Sequence, residues 1–192
     1  MNMIKYLFLA SGLLFTLPSS AQSKAQVLQN NAVAAGEQDV KLEKAWHLFA
    51  DALVRNDKEA IRALSADCIR CFNCFPEAKP VDTVVSVTQD TPDLTLFSFD
   101  HFITWFGPEV FSSETLIRLR DTAKLKFIDN QVNSDLYSTP CLLKSSGLKN
   151  PVYKEVLLLI VDPSPEFEGA QQAFAFIETK DGYKFCGYAT IP

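Results

Sequence analysis

Three runs of apolar and β-branched residues close the chain, and they limit its fold more than any other feature. The runs are VYKEVLLLIVD, AQQAFAFIET and YKFCGYATIP, separated by the loop PSPEFEG and the turn KDGY. Such residues fit the half-buried surface of a β-sheet. Asp181-Gly182 favours a hairpin turn, because Asp and Gly tolerate positive φ. The resulting register pairs Ile177 with Cys186 and places Phe174, Phe176 and Phe185 on one face, and Ala175, Ile177, Cys186 and Tyr188 on the other.

The N-terminal half carries a helical pattern instead. The side chains that recur at helical spacing are Leu42, Trp46, Phe49 and Leu53. They form one apolar stripe, which predicts an amphipathic helix that begins near Asp39. Asp57 follows the stripe and is a suitable N-cap for a second, short helix over KEAIRALSA.

The segment between residues 76 and 150 combines both kinds of signal. VDTVVSVTQD lies between Pro80 and Pro92 and predicts a strand. An aromatic-rich stretch follows, in which Asp100 is the expected cap of one helix and Ser113 opens another. KLKFIDNQV predicts a further strand. Because helices come first and long strands later, the order predicts an α+β fold with N-terminal helices packed on one face of an antiparallel sheet.

The first residues, MNMIKYLFLASGLLFTLPSSAQ, have the layout of a secretory signal peptide. The apolar run from Tyr6 to Leu17 is shorter than the about 20 residues that span a bilayer. We therefore predict a signal peptide over residues 1–21, a flexible leader over 22–37 and a single α+β domain over 38–192. The mature chain is expected to be periplasmic or secreted and not membrane-spanning.

The charge of the chain excludes one class of partner. The formal net charge is −5 at pH 7, and the predicted signal peptide contains one lysine and no acidic residue. An acidic protein repels the phosphate backbone, so we expect no nucleic-acid partner.

Five cysteines follow the predicted cleavage site: Cys68, Cys71, Cys74, Cys141 and Cys186. Export to an oxidising compartment favours disulfides, and an odd number leaves at least one cysteine outside intramolecular pairs. Our hypothesis joins one member of the CIRCFNCF triplet to Cys186 and another to Cys141.

A metal site is the alternative for the same cysteines. The iron–sulfur pattern fails at Ala78, which stands where a fourth cysteine is needed. Zinc bound by four thiolates, or by three with His47 or His101, stays open. Because reduced thiols are disfavoured outside the cytosol, we expect neither a metal nor a cofactor.

The order of the elements resembles a known superfamily. A helix that leads into ALVRNDKEAIRAL precedes an extended segment, and the chain closes with a strand pair that ends in YKFCGYATIP. This resembles exported members of the nuclear-transport-factor-2-like, cystatin-type superfamily over residues 40–75 and 152–192. The resemblance implies an α+β fold with N-terminal helices packed on a curved antiparallel sheet that is cone-shaped and cystatin-like. The superfamily includes ketosteroid isomerases and dehydratases, but fold alone does not transfer function.

Aromatic residues are the candidates for a binding pocket. They are Phe97, Phe99, Phe102, Trp105, Phe106, Phe174, Phe176, Phe185 and Tyr188. Plain core packing is the alternative role for all of them, because aromatic side chains dominate protein cores. Neither a G-x-S-x-G nor an H-E-x-x-H motif occurs in the sequence, and we predict no catalytic residue.

Three hypotheses for the function follow. The leading one is an exported, non-catalytic module that binds a small apolar ligand or a protein partner. The second is an isomerase or dehydratase, in which a cavity carboxylate such as Glu155 or Glu178 acts as base beside Tyr183 or Tyr188. The third is a structural homodimer joined through an open sheet face.

Overall fold

A computed structural model describes residues 40–74, 84–88, 91–128 and 137–191, and for 84–88 and 91–94 it describes the backbone alone. The predicted signal peptide (1–21), the predicted leader (22–37) and the predicted cap Asp39 lie outside the described residues. All five cysteines and all nine candidate pocket residues lie within them.

The described chain starts with two helices and ends with its three longest strands, as predicted, while short strands and short helices follow one another between them. The helices are α1 (residues 40–54), α2 (Lys58–Ala63), α3 (Phe99–Trp105), α4 (Gly107–Val110), α5 (Ser113–Arg118) and α6 (Pro140–Ser146). The strands are β1 (Ser65–Cys71), β2 (Val84–Thr88), β3 (Thr91–Ser98), β4 (Leu125–Ile128), β5 (Tyr153–Val161), β6 (Ala170–Thr179) and β7 (Gly182–Ile191). A 3₁₀ turn, Thr122–Lys124, precedes β4.

One sheet contains these strands in the order β2-β3-β1-β7-β6-β5-β4. Neighbouring strands run antiparallel except β1 and β7, which are parallel. The α+β class is therefore confirmed, while the sheet is mixed rather than purely antiparallel. The long chain between β1 and β7 allows this, because a parallel pair needs a long crossover connection.

Pro92 does not end a strand, although the sequence predicted one strand bounded by Pro80 and Pro92. Pro92 lies inside β3 and is paired with Ser86 of β2. The contacts of β3 with β1 involve Leu96, Phe97 and Ser98 only. Pro92 therefore lies where β3 has a single neighbour, and a missing N–H donor is tolerated there.

The apolar stripe of α1 packs on one face of the sheet, as its periodicity predicts. Leu42, Trp46 and Phe49 are fully buried. The Trp46 ring meets Phe174 edge-on with centroids 5.2 Å apart, and Phe49 stacks on Phe185 at 4.8 Å. Such aromatic pairs contribute about 0.5–1.5 kcal/mol beyond the area that they bury. This face, which we call the helix face, holds the larger core cluster.

The opposite face of the sheet is covered by α6 and by Tyr137, and we call it the α6 face. Leu142, Tyr153 and Ile177 are fully buried there. Thr139 caps α6 by accepting a hydrogen bond from the backbone N–H of Leu142 at 3.3 Å. Both faces of the strand pair β6–β7 are thus buried, as their apolar composition indicates.

The caps of the short helices agree only in part with the sequence. Asp57 caps α2 as predicted, with Oδ1 accepting from the backbone N–H of Ala60 at 3.0 Å. The cap of α3 is Ser98 and not Asp100, and the cap of α5 is Ser112, so that Ser113 is its first helical residue. In both cases the serine itself has non-helical backbone angles, with a ψ of 152° at Ser98 and 163° at Ser112, as an N-cap requires.

The β6–β7 hairpin has a different register from the predicted one. Thr179 pairs with Gly182 and Glu178 with Tyr183, so the loop residues are Lys180 and Asp181. Oγ1 of Thr179 accepts from the backbone N–H of Asp181 at 3.3 Å and donates to the carbonyl of Gly182 at 3.0 Å. These side-chain bonds stabilise a turn one residue earlier than Asp181-Gly182.

A bulge at Cys186 changes which face the end of β7 presents. Phe176 pairs with Phe185, but Ala175 pairs with Gly187, so Cys186 is an extra residue. The predicted pairing of Ile177 with Cys186 is therefore wrong. Beyond the bulge Tyr188 lies on the helix face with the phenylalanines, and not beside Cys186 as predicted.

Two disulfides occupy the two faces. Cys68 bonds to Cys141 with their Cα atoms 6.3 Å apart, which links β1 to α6. Cys71 bonds to Cys74 with their Cα atoms 5.4 Å apart. Cys186 is a buried free thiol. The prediction of disulfides holds, and so does the expected bond between the triplet and Cys141.

The predicted bond between Cys186 and the triplet is wrong. Cys68 and Cys186 lie on the α6 face, but Cys68 is already bonded to Cys141. Cys71 and Cys74 lie on the helix face, so the sheet separates them from Cys186. Because β1 ends at Cys71, the chain turns there and brings Cys74 back to its neighbour.

Candidate functional site

A groove of about 800 Å³ lies between the corner of α1 and α2 on one side and α3 to α5 on the other. Its walls are mostly apolar, with a few polar groups at the edge. The lining residues are Leu53, Val54, Asn56, Lys58, Ile61, Arg62, Phe99, Asp100, Ile103, Thr104, Gly107, Pro108, Phe111 and Leu116.

The α1–α2 corner forms the first wall because the chain reverses sharply at Asn56. Asn56 has a φ of 53°, which asparagine adopts more readily than most residues. The backbone N–H of Asp57 then bonds to the carbonyl of Ala52 at 2.9 Å. The RND sequence thus turns α2 back toward the groove, with Ile61 buried beneath.

Helix α3 and the segment after it form the second wall. Phe99 and Ile103 lie one helical turn apart and therefore share a face of α3. Phe99 is buried, whereas Ile103 is partly exposed toward the groove. Phe111 follows α4 and is also half-buried. The aromatic-rich middle segment thus supplies the apolar surface of this wall.

Arg62 connects the two walls. Its guanidinium lies over the ring of Phe99, 4.9 Å from the centroid. The same group donates a hydrogen bond to Oδ1 of Asp67 at 2.8 Å and another to the carbonyl of Ala66 at 3.3 Å. The hydrogen bond from Arg62 holds the pKa of Asp67 below its usual value, although burial of the carboxyl acts in the opposite direction. Arg62 is therefore held in place, with its charge balanced.

Most of the predicted pocket residues are core residues. Only Phe99 lines the groove. The fully or nearly fully buried ones are Phe97, Phe102, Phe106, Phe174, Phe176, Phe185 and Tyr188. Trp105 is 40% exposed and lies outside the groove lining. Phe99 itself belongs to the same core cluster as Phe102 and Phe106, and in addition it lines the groove.

Comparison with protein-family models, with curated proteins and with solved structures finds no match.

The histidines are occupied by local contacts. Nε2 of His47 lies 3.6 Å from Oε1 of Glu43, which is one helical turn earlier on α1. Nδ1 of His101 lies 2.6 Å from Oγ of Ser98. Within the described ranges, no group of three or more His, Cys, Asp or Glu side chains is arranged to hold a metal ion. The same ranges contain no helix long and apolar enough to cross a membrane.

Two of the groups named for an isomerase, Glu178 and Tyr183, are paired on neighbouring strands and line a second cavity of about 520 Å³, separate from the groove. Glu155 faces the α6 side, where Oε1 accepts a hydrogen bond from the hydroxyl of Tyr137 at 3.2 Å. Burial raises the pKa of Glu155. Oε2 of Glu178 accepts from the backbone N–H of Val152 at 3.2 Å. Tyr183 and Tyr188 are buried on the helix face.

The groove therefore contains neither of the predicted basic carboxylates. Its own acid, Asp100, is exposed in the first turn of α3. Leu53, Ile61 and Ile103 are groove residues that the sequence analysis did not single out for a pocket. Helical periodicity identified Leu53 as inward-facing, but only the approach of α2 to α3 turned that side into a groove wall.

Proposed function

We propose that the domain is a non-catalytic binding module and that the groove between α2 and α3 binds a small, mainly apolar molecule. The observation that carries this proposal is the size and lining of the groove. Ligand sites are typically clefts of about 300–1,000 Å³ with apolar and aromatic walls and a few polar groups. A groove of about 800 Å³ walled by Phe99, Ile103 and Phe111 fits that description.

The concave shape favours a small molecule over a protein partner. Protein interfaces bury about 800 Å² on each side and use broad surfaces with anchoring aromatic residues. Here Phe99 is buried in the α3 wall beneath Arg62, and Phe111 is half-buried. An apolar molecule in the groove would contact these rings from the side and lose its own hydration.

Arg62 gives the site the rigidity that binding needs. The contacts of its guanidinium with Phe99, Asp67 and Ala66 hold one wall against the other before a ligand arrives. A preformed wall lowers the entropy that is lost on binding.

Export and family membership remain part of the proposal. The disulfides Cys68–Cys141 and Cys71–Cys74 are typical of an oxidising compartment, which supports a periplasmic or secreted protein. The helix pair α1–α2 and the position of β7 at the centre of the sheet support the resemblance to the nuclear-transport-factor-2-like superfamily. The pair Glu178–Tyr183 is the contact relevant to the isomerase, but Oε2 of Glu178 already accepts a hydrogen bond from the backbone N–H of Val152. No contact among the described residues favours the homodimer.

The proposal is tested by titration with the neutral fluorescent probe N-phenyl-1-naphthylamine. We expect saturable binding with enhanced fluorescence in the intact chain. Thr104→Trp places an indole in the groove from an exposed position, so it should abolish saturation without affecting the core. Thr122→Trp, at an exposed site in the 3₁₀ turn, is the matched control and should bind normally.

A second pair of variants tests the apolar wall itself. Ile103→Glu places a charge in the groove, whereas Ile117→Glu places one on α5 at a side chain that is 80% exposed. Loss of probe binding in the first variant only is the expected result. The absence of saturable binding in the intact chain, or equal binding by Thr104→Trp and the wild type, would refute the proposed function.

A further inference from the structure

We infer that the ligand of this groove is amphipathic and carries a single carboxylate, which binds Lys58. The inference rests on the proposed function and adds the chemical class of the ligand. It follows from the distribution of charge along the groove.

Two cationic side chains lie on one side of α2. Lys58 and Arg62 are four residues apart, so they project from the same face of the helix, and both line the groove. Arg62 is already paired with Asp67 at 2.8 Å. Lys58 is exposed, and among the described residues it has no carboxylate within ion-pair distance. The groove thus has one uncompensated cation beside the α1–α2 corner.

The opposite wall contains one acid, Asp100, which follows Phe99 in the first turn of α3. Asp100 also forms no ion pair with another described residue, so Lys58 and Asp100 do not neutralise each other. A carboxylate in the groove would therefore be attracted to the Lys58 side and repelled from the Asp100 side. This asymmetry orients a ligand whose charge is at one end.

Between these charges the wall is apolar, formed by Phe99, Ile103 and Phe111. An alkyl or aryl chain attached to the carboxylate would lie along it. Fatty acids and aryl-alkanoic acids have this chemistry, whereas neutral hydrocarbons leave the Lys58 charge without a partner. An exposed ion pair of this kind contributes modestly, so we expect about a two- to five-fold preference for the acid over a neutral analogue.

The test compares decanoate with 1-decanol, which have chains of equal length and differ in charge. Both are measured by displacement of N-phenyl-1-naphthylamine at pH 8 and low salt. The intact chain should bind decanoate about two- to five-fold more tightly than decanol, and added salt should reduce the difference. Lys58→Met should remove the preference and leave decanol affinity unchanged.

Two further variants make the charge argument specific. Asp100→Asn removes the opposing charge and should increase the preference for decanoate. Lys144→Met removes an exposed lysine on α6, outside the groove, and should change nothing. All three positions are exposed, so these substitutions should preserve the fold, which a thermal unfolding curve verifies.

The outcomes separate the two proposals. If the intact chain does not bind the probe, the proposed function itself fails. If it binds the probe but neither decanoate nor decanol displaces it, the carboxylate inference alone is overturned. If both bind equally well to the intact chain, the function stands and the carboxylate inference is overturned. A preference that survives Lys58→Met overturns the assignment to Lys58.

Discussion

The ring of Tyr137 lies so close to Gly187 that a β-carbon on this glycine would be 2.7 Å from Cε1 of the tyrosine. Gly187 directly follows the bulged residue Cys186, and the same β-carbon would be 3.2 Å from Cβ of Ala175 and from the carbonyl oxygen of Arg70. The bulge and the packing of Tyr137 thus depend on the absence of a side chain at Gly187.

Gly187→Ala should therefore destabilise the domain, because the added methyl group forces the ring or a strand to move. We expect the free energy of unfolding to fall by about 1–3 kcal/mol, as for other overpacked cores. Urea denaturation monitored by circular dichroism measures this change in the free energy of unfolding. In a Tyr137→Ala background the same substitution should cost less, since the closest clash is gone. Equal costs in both backgrounds would show that the ring is not responsible.

The two disulfides should differ in their contribution to stability. Cys68–Cys141 closes a loop with a sequence separation of 73, and Cys71–Cys74 one of 3. The chain-entropy model gives about 4 kcal/mol for the first and about 1.5 kcal/mol for the second. Urea denaturation of the double alanine variants C68A/C141A and C71A/C74A compares them. A larger loss from the short loop would contradict this expectation.

The thiol of Cys186 should be unreactive in the folded protein. It is fully buried, and burial raises the pKa of the thiol well above its usual value, with the charge of Glu155 acting in the same direction. Because the thiolate is the reactive form, a thiol reagent should label nothing under native conditions. In denaturant it should label one cysteine, and after reduction all five. Three labelled cysteines before reduction would contradict the disulfide pairing.

Glu155 should make stability depend on pH in a predictable direction. Burial raises its pKa in the folded state above the usual 4.5, and the hydrogen bond from Tyr137 only partly opposes this. The folded protein therefore binds this proton more tightly than the unfolded chain. The contribution of this proton to the free energy of unfolding is fully present below pH 4.5. It is lost as the pH rises through the higher pKa of Glu155 in the folded state.

Glu155→Gln removes that dependence while keeping an oxygen that accepts from Tyr137. Relative to the wild type, we expect the variant to gain stability as the pH rises above 4.5, until the carboxyl of the folded wild type is fully ionised. Thermal unfolding at a series of pH values measures the difference. Glu168→Gln, at an exposed position in the β5–β6 loop, is the control and should give parallel curves. A difference that does not change with pH would exclude Glu155 as the titrating group.

Local interactions explain why much of the fold could be predicted. The stripe that contains Trp46 and Phe49 has helical periodicity, and Asp57 caps α2 through a bond to a residue three positions away. The strand runs from Tyr153 to Ile191 have β-forming composition throughout. Each of these signals depends on neighbours within a few residues, so the sequence contains it directly.

The candidate site could be predicted only in part. Phe99 was among the expected pocket residues, but the groove exists because α2 turns back at Asn56 and Arg62 reaches across to Phe99. Phe102, three residues later, is a phenylalanine in the same aromatic-rich stretch, but it is a fully buried core residue. Residue type alone does not separate the two roles, because an aromatic ring is equally favourable in a core and in a pocket wall.

By itself, the sequence determined the α+β class, the positions of the main helices and strands, and the tendency of its cysteines to pair. The tertiary structure decided the parallel contact of β1 with β7, the bulge that turns Tyr188 to the helix face, and the burial of Cys186 away from a partner. The reason is physical: periodicity and capping act within a turn or a strand, whereas register, sulfur pairing and groove formation depend on which distant surfaces meet when the sheet closes.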